Sequence, residues 1–236
     1  MDNRKLWTQH QDQLRKALSS KAHFAEAQGL FLTQHAAVHT AEISGIDWSV
    51  HDEALAGLTE AQLRWVPRPG QNSIAWLLWH ITRIEDMTIN TLTFEQPQVL
   101  TAERLAELGL SRLDCGASMD ESEVAELSAR ISIPALLAYR AAVGRKTRES
   151  LPALTAEQVK EAVPEATVAK LLAEGSISEK GRWLYEYYLN RSKGFFLTRT
   201  ATSHNFIHLN EAGRLRRKLL GLSEKPKDNA KPPSLH

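Results

Sequence analysis

The chain is poor in cysteine, in long apolar runs and in excess charge of either sign. Its 236 residues include one cysteine, Cys115, which excludes an intramolecular disulfide framework and a zinc site built from cysteines. The longest apolar run, residues 74–79, is far shorter than the roughly 20 residues of a membrane-spanning helix. The 29 basic and 28 acidic residues leave a net charge of +1, which gives no support to generic binding of nucleic acids or anionic membranes. With no signal-peptide pattern at the N-terminus, we expect a soluble, cytoplasmic protein with neither a nucleic acid nor a membrane as partner.

Signals of β-structure are also scarce. No segment alternates apolar and polar residues with an enrichment in β-branched side chains, and no Asn-Gly or Asp-Gly turn occurs. Apolar residues recur instead at helical spacing, which predicts an all-α protein. Several long helices with short polar connections favour a helix bundle.

The helices of this bundle can be placed approximately. We expect one within the first 57 residues and others at 73–92, 134–150 and 195–220. Gly29 is expected to divide or bend the first helical region, and Asp47 to cap a short helix at about 48–56.

The same pattern predicts three parts of the chain. Residues 1–45 form an N-terminal helical extension, residues 46–221 form the bundle with a helical or loop-rich insertion, and residues 222–236 form a mobile tail. The insertion is expected to contain one short helix near 102–108. The tail is rich in proline and lysine and has no apolar periodicity, which is typical of a segment that does not fold.

Nine histidines stand out in this composition. His80 lies on the predicted 73–92 helix, and its neighbours one turn away are mostly apolar: Trp76, Leu77, Ile84 and Met87. We therefore expect His80 to face the interior. Glu85 and Asp86 fall near the opposite side of this helix and are predicted to be poor partners for His80.

The last long helix carries His204 and His208 on one inward stripe, with Glu211 one turn further on. Histidines at positions i and i+4 lie about 6 Å apart and can offer two nitrogens to one metal ion. A third histidine from another helix completes a three-nitrogen site with open positions, and His80 is the natural candidate.

A second pair of the same spacing, His35 and His39, is followed by Glu42. Nine histidines in this length should give about 0.3 such pairs by chance, so one of the two pairs can be accidental. His35, His39 and Glu42 are candidates for a fourth ligand, a second site or a pocket wall. The alternative is an ordinary helix with polar residues.

Two segments resemble the DinB-like (YfiT-type) superfamily. Residues 73–86, Ser-Ile-Ala-Trp-Leu-Leu-Trp-His-Ile-Thr-Arg-Ile-Glu-Asp, resemble its first histidine motif. Residues 204–216, beginning His-Asn-Phe-Ile-His, resemble its second motif, although Asn210 replaces a usual glycine. The resemblance covers roughly residues 50–220.

This resemblance implies an antiparallel four-helix bundle that holds a divalent metal, commonly nickel or zinc, through three histidines. His80, His204 and His208 occupy the matching positions. Activities in such families include thiol-dependent S-transfer, maleylpyruvate isomerisation and metal-dependent hydrolysis, and homodimers are common. The implied function is a metal-dependent hydrolase or S-transferase, in which water or a low-molecular-weight thiol attacks a small electrophilic substrate. The alternative is a non-catalytic metal-binding bundle that acts as a sensor or a partner-binding module.

Two further side chains have an open role. Glu211 either orients a ligand histidine or accepts a proton, or it is a surface carboxylate paired with Arg214. Arg83 either reaches an anionic group of the substrate or forms a salt bridge.

Overall fold

The computed structural model describes residues 2–222, and within this range it contains helices, turns and one isolated bridge, between Ala162 and Ser192, but no β-strand. The all-α prediction is therefore confirmed, while the four-helix bundle stays a prediction. The α-helices are α1 (Asn3–Leu18), α2 (Phe24–Val38), α3 (Val50–Leu55), α4 (Glu60–Arg64), α5 (Ile74–Glu85), α6 (Ala102–Glu107), α7 (Glu121–Arg130), α8 (Ile133–Ser150), α9 (Glu165–Ala173), α10 (Trp183–Tyr188), α11 (Lys193–Thr198) and α12 (Asn205–Leu219). Short 3-10 turns lie at Lys21–His23, Ala41–Ile43, Leu151–Ala153 and Gln158–Lys160.

Two segments have the wider turn of a π-helix. One, named π1 here (Asp86–Thr93), continues α5, and the other, π2 (Arg199–His204), joins α11 to α12. The sequence predicts continuous helices at 73–92 and 195–220 and gives no sign of these insertions. The tail predicted at 222–236 lies outside the described residues, apart from Leu222.

Helix α5 is the central element of the fold. The Ser73 hydroxyl caps it by accepting a hydrogen bond from the Trp76 amide at 2.9 Å. All 12 residues of α5 are buried, as expected of a helix that is covered on every side. It packs between α8 and α12, so side chains on its different faces meet different helices.

Helix α1 packs onto π2 and α12. The indole of Trp7 stacks on Phe206 with ring centroids 3.8 Å apart. Gln11 Nε2 donates to Thr202 Oγ1 at 2.9 Å, and Arg4 Nε donates to Asn210 Oδ1 at 2.8 Å. Helix α1 is thereby fixed against π2 and α12.

Some local predictions were wrong. Helix α2 runs through Gly29 without a break, because an exposed glycine in a helix costs only about 1 kcal/mol relative to alanine. Ser49, rather than Asp47, caps α3, and its hydroxyl accepts the Asp52 amide at 3.0 Å. The prediction also omits α7. This helix begins with a capping box, in which the side chains of Asp120 and Glu123 each accept the backbone N–H of the other residue.

Between residues 2 and 222, no helix combines the length and the apolarity that a membrane crossing requires.

Two glycines on different helices should respond in opposite ways to a methyl group. A Cβ at Gly144, on α8, would lie 2.6 Å from Nδ1 of His39 and 2.7 Å from Cδ1 of Ile43, whereas a Cβ at Gly29 meets nothing within 4 Å. We expect Gly144→Ala to lower the free energy of unfolding by about 1–3 kcal/mol through overpacking. Gly29→Ala should raise it by about 0.5–1 kcal/mol.

Urea unfolding followed by circular dichroism measures both changes. Gly29→Ala serves as the control for adding a methyl group to a helix. A Gly144→Ala protein as stable as the wild type would show that the His39 ring has room to move.

Candidate metal centre

Three imidazoles that are remote in the sequence meet in the structure. His80 extends from α5, His204 ends π2, and His208 lies one turn into α12. The ring centroids are 5.0 Å apart for His80 and His204, 5.2 Å for His80 and His208, and 4.6 Å for His204 and His208. One nitrogen of each ring lies within 4.8 Å of those of the other two. The sequence-based grouping of these three histidines thus corresponds to a real cluster of side chains.

Hydrogen bonds fix the orientation of two of these rings. His80 Nδ1 lies 2.7 Å from the carbonyl oxygen of Cys115, and because a carbonyl can only accept, this nitrogen carries the proton. His208 Nδ1 lies 3.1 Å from Oε2 of Glu211. Histidines that bind metals typically donate their other ring N–H to a carbonyl or carboxylate in this way. Each ring therefore has its Nδ1 occupied by an oxygen atom of the protein, and Nε2 is left to face a ligand.

The third ring has a polar atom without a partner. Nδ1 of His204 is buried and makes no hydrogen bond with any atom in the described part of the chain. A buried polar group left in this state costs about 1–3 kcal/mol, which a bound ligand can offset. This unpaired nitrogen fits a site built to hold an additional group.

Burial keeps two of the imidazoles neutral. It lowers the pKa of His80 to about 4, and the adjacent His208 lowers it further. Burial also holds the pKa of His204 well below its usual range, and the rings of His80 and His208 act in the same direction. A neutral imidazole is the form that binds a metal, so His80 and His204 are suited to bind one. Together with His208 they form a three-nitrogen donor set that fits a divalent transition metal.

Trp76 forms one wall of this cluster. Its indole stacks on the His80 ring with centroids 4.8 Å apart and an interplanar angle of 10°. Its Nε1 lies 3.0 Å from the sulfur of Met119, which fixes the indole against the 115–119 loop. The stack restrains the His80 ring in addition to its bond to Cys115.

A second histidine group lies on another side of α5. His35 Nε2 is 2.9 Å from Oε1 of Glu85, and His39 Nε2 is 2.9 Å from Oε2 of the same carboxylate. The three side chains are inaccessible to solvent. Their ligand atoms also lie within 4.8 Å of one another, so this group is geometrically able to hold an ion.

Sequence reasoning assigned the wrong carboxylate to this pair. Glu42 is exposed and takes no part in the group. Helix α2 ends at Val38 and the backbone of His39 is extended, so Glu42 no longer lies one helical turn beyond His39. Glu85 was correctly placed away from His80. A position five residues along a helix is rotated by about 140°, and this rotation was the available signal that Glu85 meets a different neighbour.

Arg83 and Cys115 are both buried, and their surroundings do not favour a role in binding or attacking a substrate. The Arg83 guanidinium donates to the Leu113 carbonyl at 2.9 Å, to Asp86 at 3.2 Å and to the Tyr139 hydroxyl at 3.1 Å. This agrees with the salt-bridge alternative for Arg83. Burial raises the pKa of the Cys115 thiol to about 11, so the thiolate is scarce near neutral pH.

Two open grooves of the described residues lie elsewhere. One, of about 370 Å³, is lined by α1, α2 and the segment around Trp48, and the other, of about 490 Å³, lies between the 66–72 and 119–125 segments. Neither is lined by a member of the two histidine groups. The grooves therefore give no outline of a substrate beside His80.

Acidification of the metal-free protein should reduce its stability through His39. Burial lowers the pKa of His39 from 6.5 to about 3, although the Glu85 carboxylate opposes the shift. Between these two pH values His39 binds a proton in the unfolded chain and none in the folded chain. The contribution is complete above the unfolded pKa and declines as the pH falls, by about 1.4 kcal/mol per pH unit.

Urea unfolding in the presence of a chelator, between about pH 5.5 and pH 4.5, measures this slope. In His39→Gln the slope should be shallower by about 1.4 kcal/mol per pH unit. The control, Leu14→Ala in a core without charge, should lower stability at each pH and leave the slope unchanged. Identical slopes in the wild type and His39→Gln would contradict the burial of a neutral ring.

Comparison with known proteins agrees with the geometry. The DinB superfamily matches residues 46–176, more than half of the 236 residues. The matched range includes His80 and Glu85 but ends before His204 and His208. None of the curated proteins matches the chain. By the extent of the family match, this chain belongs to the DinB superfamily.

Proposed function

We propose that this chain is a divalent-metal-dependent enzyme in which His80, His204 and His208 hold the metal. The proposed reaction is hydrolysis or S-transfer on a small electrophilic substrate, with water or a low-molecular-weight thiol as the nucleophile. Nickel and zinc are the proposed metals. The observation that carries the proposal is the convergence of three imidazoles, one with an unpaired buried nitrogen, in a member of the DinB superfamily.

The chemistry divides between the bound ion and the side chains around it. A divalent ion on three neutral nitrogens supplies Lewis acidity at its open positions, which lowers the pKa of a water or a thiol there. The Cys115 carbonyl and the Glu211 carboxylate hold the rings of His80 and His208 in the orientation that presents Nε2. The side chain of Glu211 is 34% exposed, so it is accessible to a proton from the nucleophile as well as to His208. We propose that Glu211 positions His208 and accepts this proton.

A non-catalytic metal-binding module is the rival proposal. It would be favoured by a fourth protein ligand that closes the site, and His39 was the candidate for that ligand. In the structure His39 bonds to Glu85 in the second group. This removes the main support for a closed site. A cytoplasmic location, a homodimer and the division of the chain at residues 45 and 46 remain proposals.

Removal of one proposed ligand should abolish tight metal binding. We expect the wild-type protein to retain about one equivalent of zinc or nickel after dialysis. His204→Ala should bind the metal at least ~100-fold more weakly, because only two ligand nitrogens remain. Loss of a residue that only orients a ligand lowers metal affinity by ~10–100-fold, and loss of a ligand itself should lower it further. Elemental analysis and competition with a chromophoric chelator measure both quantities. His23→Ala, a change at an exposed histidine of the 3-10 turn after α1, is the control. Equal metal content in the wild type and His204→Ala would reject His204 as a ligand.

Activity should depend on both the metal and Glu211. We expect the metal-loaded protein to hydrolyse model esters or amides, or to transfer a thiol to an electrophile, and to lose this activity with a chelator. Glu211→Gln should retain the metal but lower kcat by about 10²–10⁴-fold, the range for a general base. Turnover that survives both metal removal and His204→Ala would overturn the proposed mechanism.

A further inference from the structure

The second histidine group surrounds a fully enclosed carboxylate. Besides the Nε2 atoms of His35 and His39, Glu85 accepts the Thr147 hydroxyl at 2.9 Å and the side-chain amide of Asn205 at 2.8 Å. Each carboxylate oxygen thus receives two donors. Burial alone would raise the pKa of Glu85, but the two imidazoles that face its oxygens hold the pKa well below the usual range. The carboxylate is therefore ionised and saturated with hydrogen bonds.

The Nδ1 atoms of the histidines, which point away from Glu85, distinguish this group from the proposed metal centre. If Nε2 of His35 and His39 bound an ion, each proton would move to Nδ1. Within residues 2–222, both Nδ1 atoms are buried and have no hydrogen-bond acceptor. The His39 ring lies so close to α8 that a methyl group on Gly144 would approach Nδ1 to 2.6 Å, which leaves no room for a bridging water. An ion held by these two Nε2 atoms would thus strand two buried N–H donors, each at a cost. In the proposed metal centre two of the three rings have acceptors for Nδ1, and the unpaired Nδ1 of His204 can itself serve as the ligand atom.

The charge of Glu85 is balanced through Asn205. Arg140 on α8 is buried, and its guanidinium donates to Oδ1 of Asn205 at 3.3 Å and to the Val38 carbonyl at 2.6 Å. The side chain of Asn205 therefore lies between a buried anion and a buried cation, with its amide toward Glu85 and its carbonyl toward Arg140. This arrangement allows one orientation of the Asn205 side chain.

Asn205 also controls the backbone beside the metal centre. It is the first residue of α12, directly after His204 and three residues before His208. Its Nδ2 donates a second bond, at 3.1 Å, to the carbonyl of Thr200 in π2. Thr200 in turn bonds to Thr88 of π1, with the two hydroxyl oxygens 2.7 Å apart. The rotation of π2 and of the first turn of α12 is consequently fixed from the interior.

We infer that His35, His39 and Glu85 form a metal-free hydrogen-bonded clasp, which acts through Asn205 to position His204 and His208. These residues are positioning residues and not ligands. The inference rests on the proposed function only for the role of His204 and His208 as ligands. A loosened clasp should weaken metal binding without removing a ligand.

Three variants of the full chain test this inference: Asn205→Ala, Glu85→Gln and the control Tyr139→Phe. The Tyr139 hydroxyl donates to Asp86 at 2.6 Å and accepts from Arg83 at 3.1 Å, so its loss removes two buried bonds that involve neither Glu85 nor Asn205. Zinc affinity is measured by competition with a chelator, the coordination geometry by the visible spectrum of the cobalt form, and the rigidity of residues 199–208 by deuterium exchange of the metal-free protein. Thermal unfolding tests whether each variant is folded.

We expect Asn205→Ala to bind zinc about tenfold more weakly, at the low end of the effect of outer partners of a metal site. Its cobalt spectrum should change and exchange in π2 should accelerate, and Glu85→Gln should behave similarly. Tyr139→Phe should lower the unfolding temperature, keep zinc affinity within about twofold and leave exchange in π2 unchanged. The wild type and Glu85→Gln should each take up one zinc ion.

Other outcomes would overturn the inference. Unchanged affinity and exchange in Asn205→Ala, or equal losses in Tyr139→Phe, would exclude positioning through Asn205. Two zinc ions in the wild type and one in Glu85→Gln would identify the clasp as a metal site. If the wild type binds no zinc, the proposed function fails, and the exchange data still decide whether Asn205 fixes π2. If Glu85→Gln does not fold, Thr147→Val removes one donor of the same carboxylate.

Discussion

An ionised carboxylate without solvent contact has to be surrounded by donors, and the interior of this protein is arranged to meet that requirement. Glu85 takes donors from α2, from the residue that follows α2, from α8 and from α12. A charge in a medium of low dielectric is costly unless it is paired and hydrogen-bonded, so these elements cannot separate without exposing an unsatisfied anion. Packing of apolar side chains holds α5 in place, but this polar contact sets the register of the helices around it.

Helix α5 consequently has two polar faces with different chemistry. On one face His80 has a nitrogen with a free lone pair, directed by a carbonyl acceptor and stacked on Trp76. On another face, five residues later, Glu85 uses all of its acceptor capacity within the protein. Both groups contain two histidines one turn apart, so the types of residue do not separate them. The difference lies in the hydrogen-bond partners of the histidine Nδ1 atoms. Residue type and spacing alone are therefore an insufficient criterion for a metal site.

The sequence predicted what depends on local spacing. The periodicity around His80 and the i, i+4 spacing of His204 and His208 were enough to predict three inward-facing imidazoles, and the helix expected at 134–150 corresponds closely to α8. The insertions π1 and π2 were not predictable, because they are set by contacts between distant segments such as Thr88 and Thr200. Glu85 was missed for the same reason: its histidine partners lie 46 and 50 residues away, and the position of their segment relative to α5 is not encoded in either segment alone. Glu42 was a candidate because it is near His39 in the sequence. Since α2 ends at Val38, Glu42 does not lie one helical turn from His39 in the structure.

The stack of Trp7 on Phe206 and the Arg4–Asn210 bond place α1 against α12, the helix that carries His208 and directly follows His204. The segment shared with the DinB superfamily stops at residue 176 and starts at residue 46. A fragment trimmed to those limits would retain the Glu85 anion while discarding both imidazoles that cover it and the amide that balances it against Arg140. The segment matched by the family is thus smaller than the set of residues that surrounds Glu85. Mutations in α1 would act on the proposed metal centre through α12 and π2, although α1 contributes no atom to it.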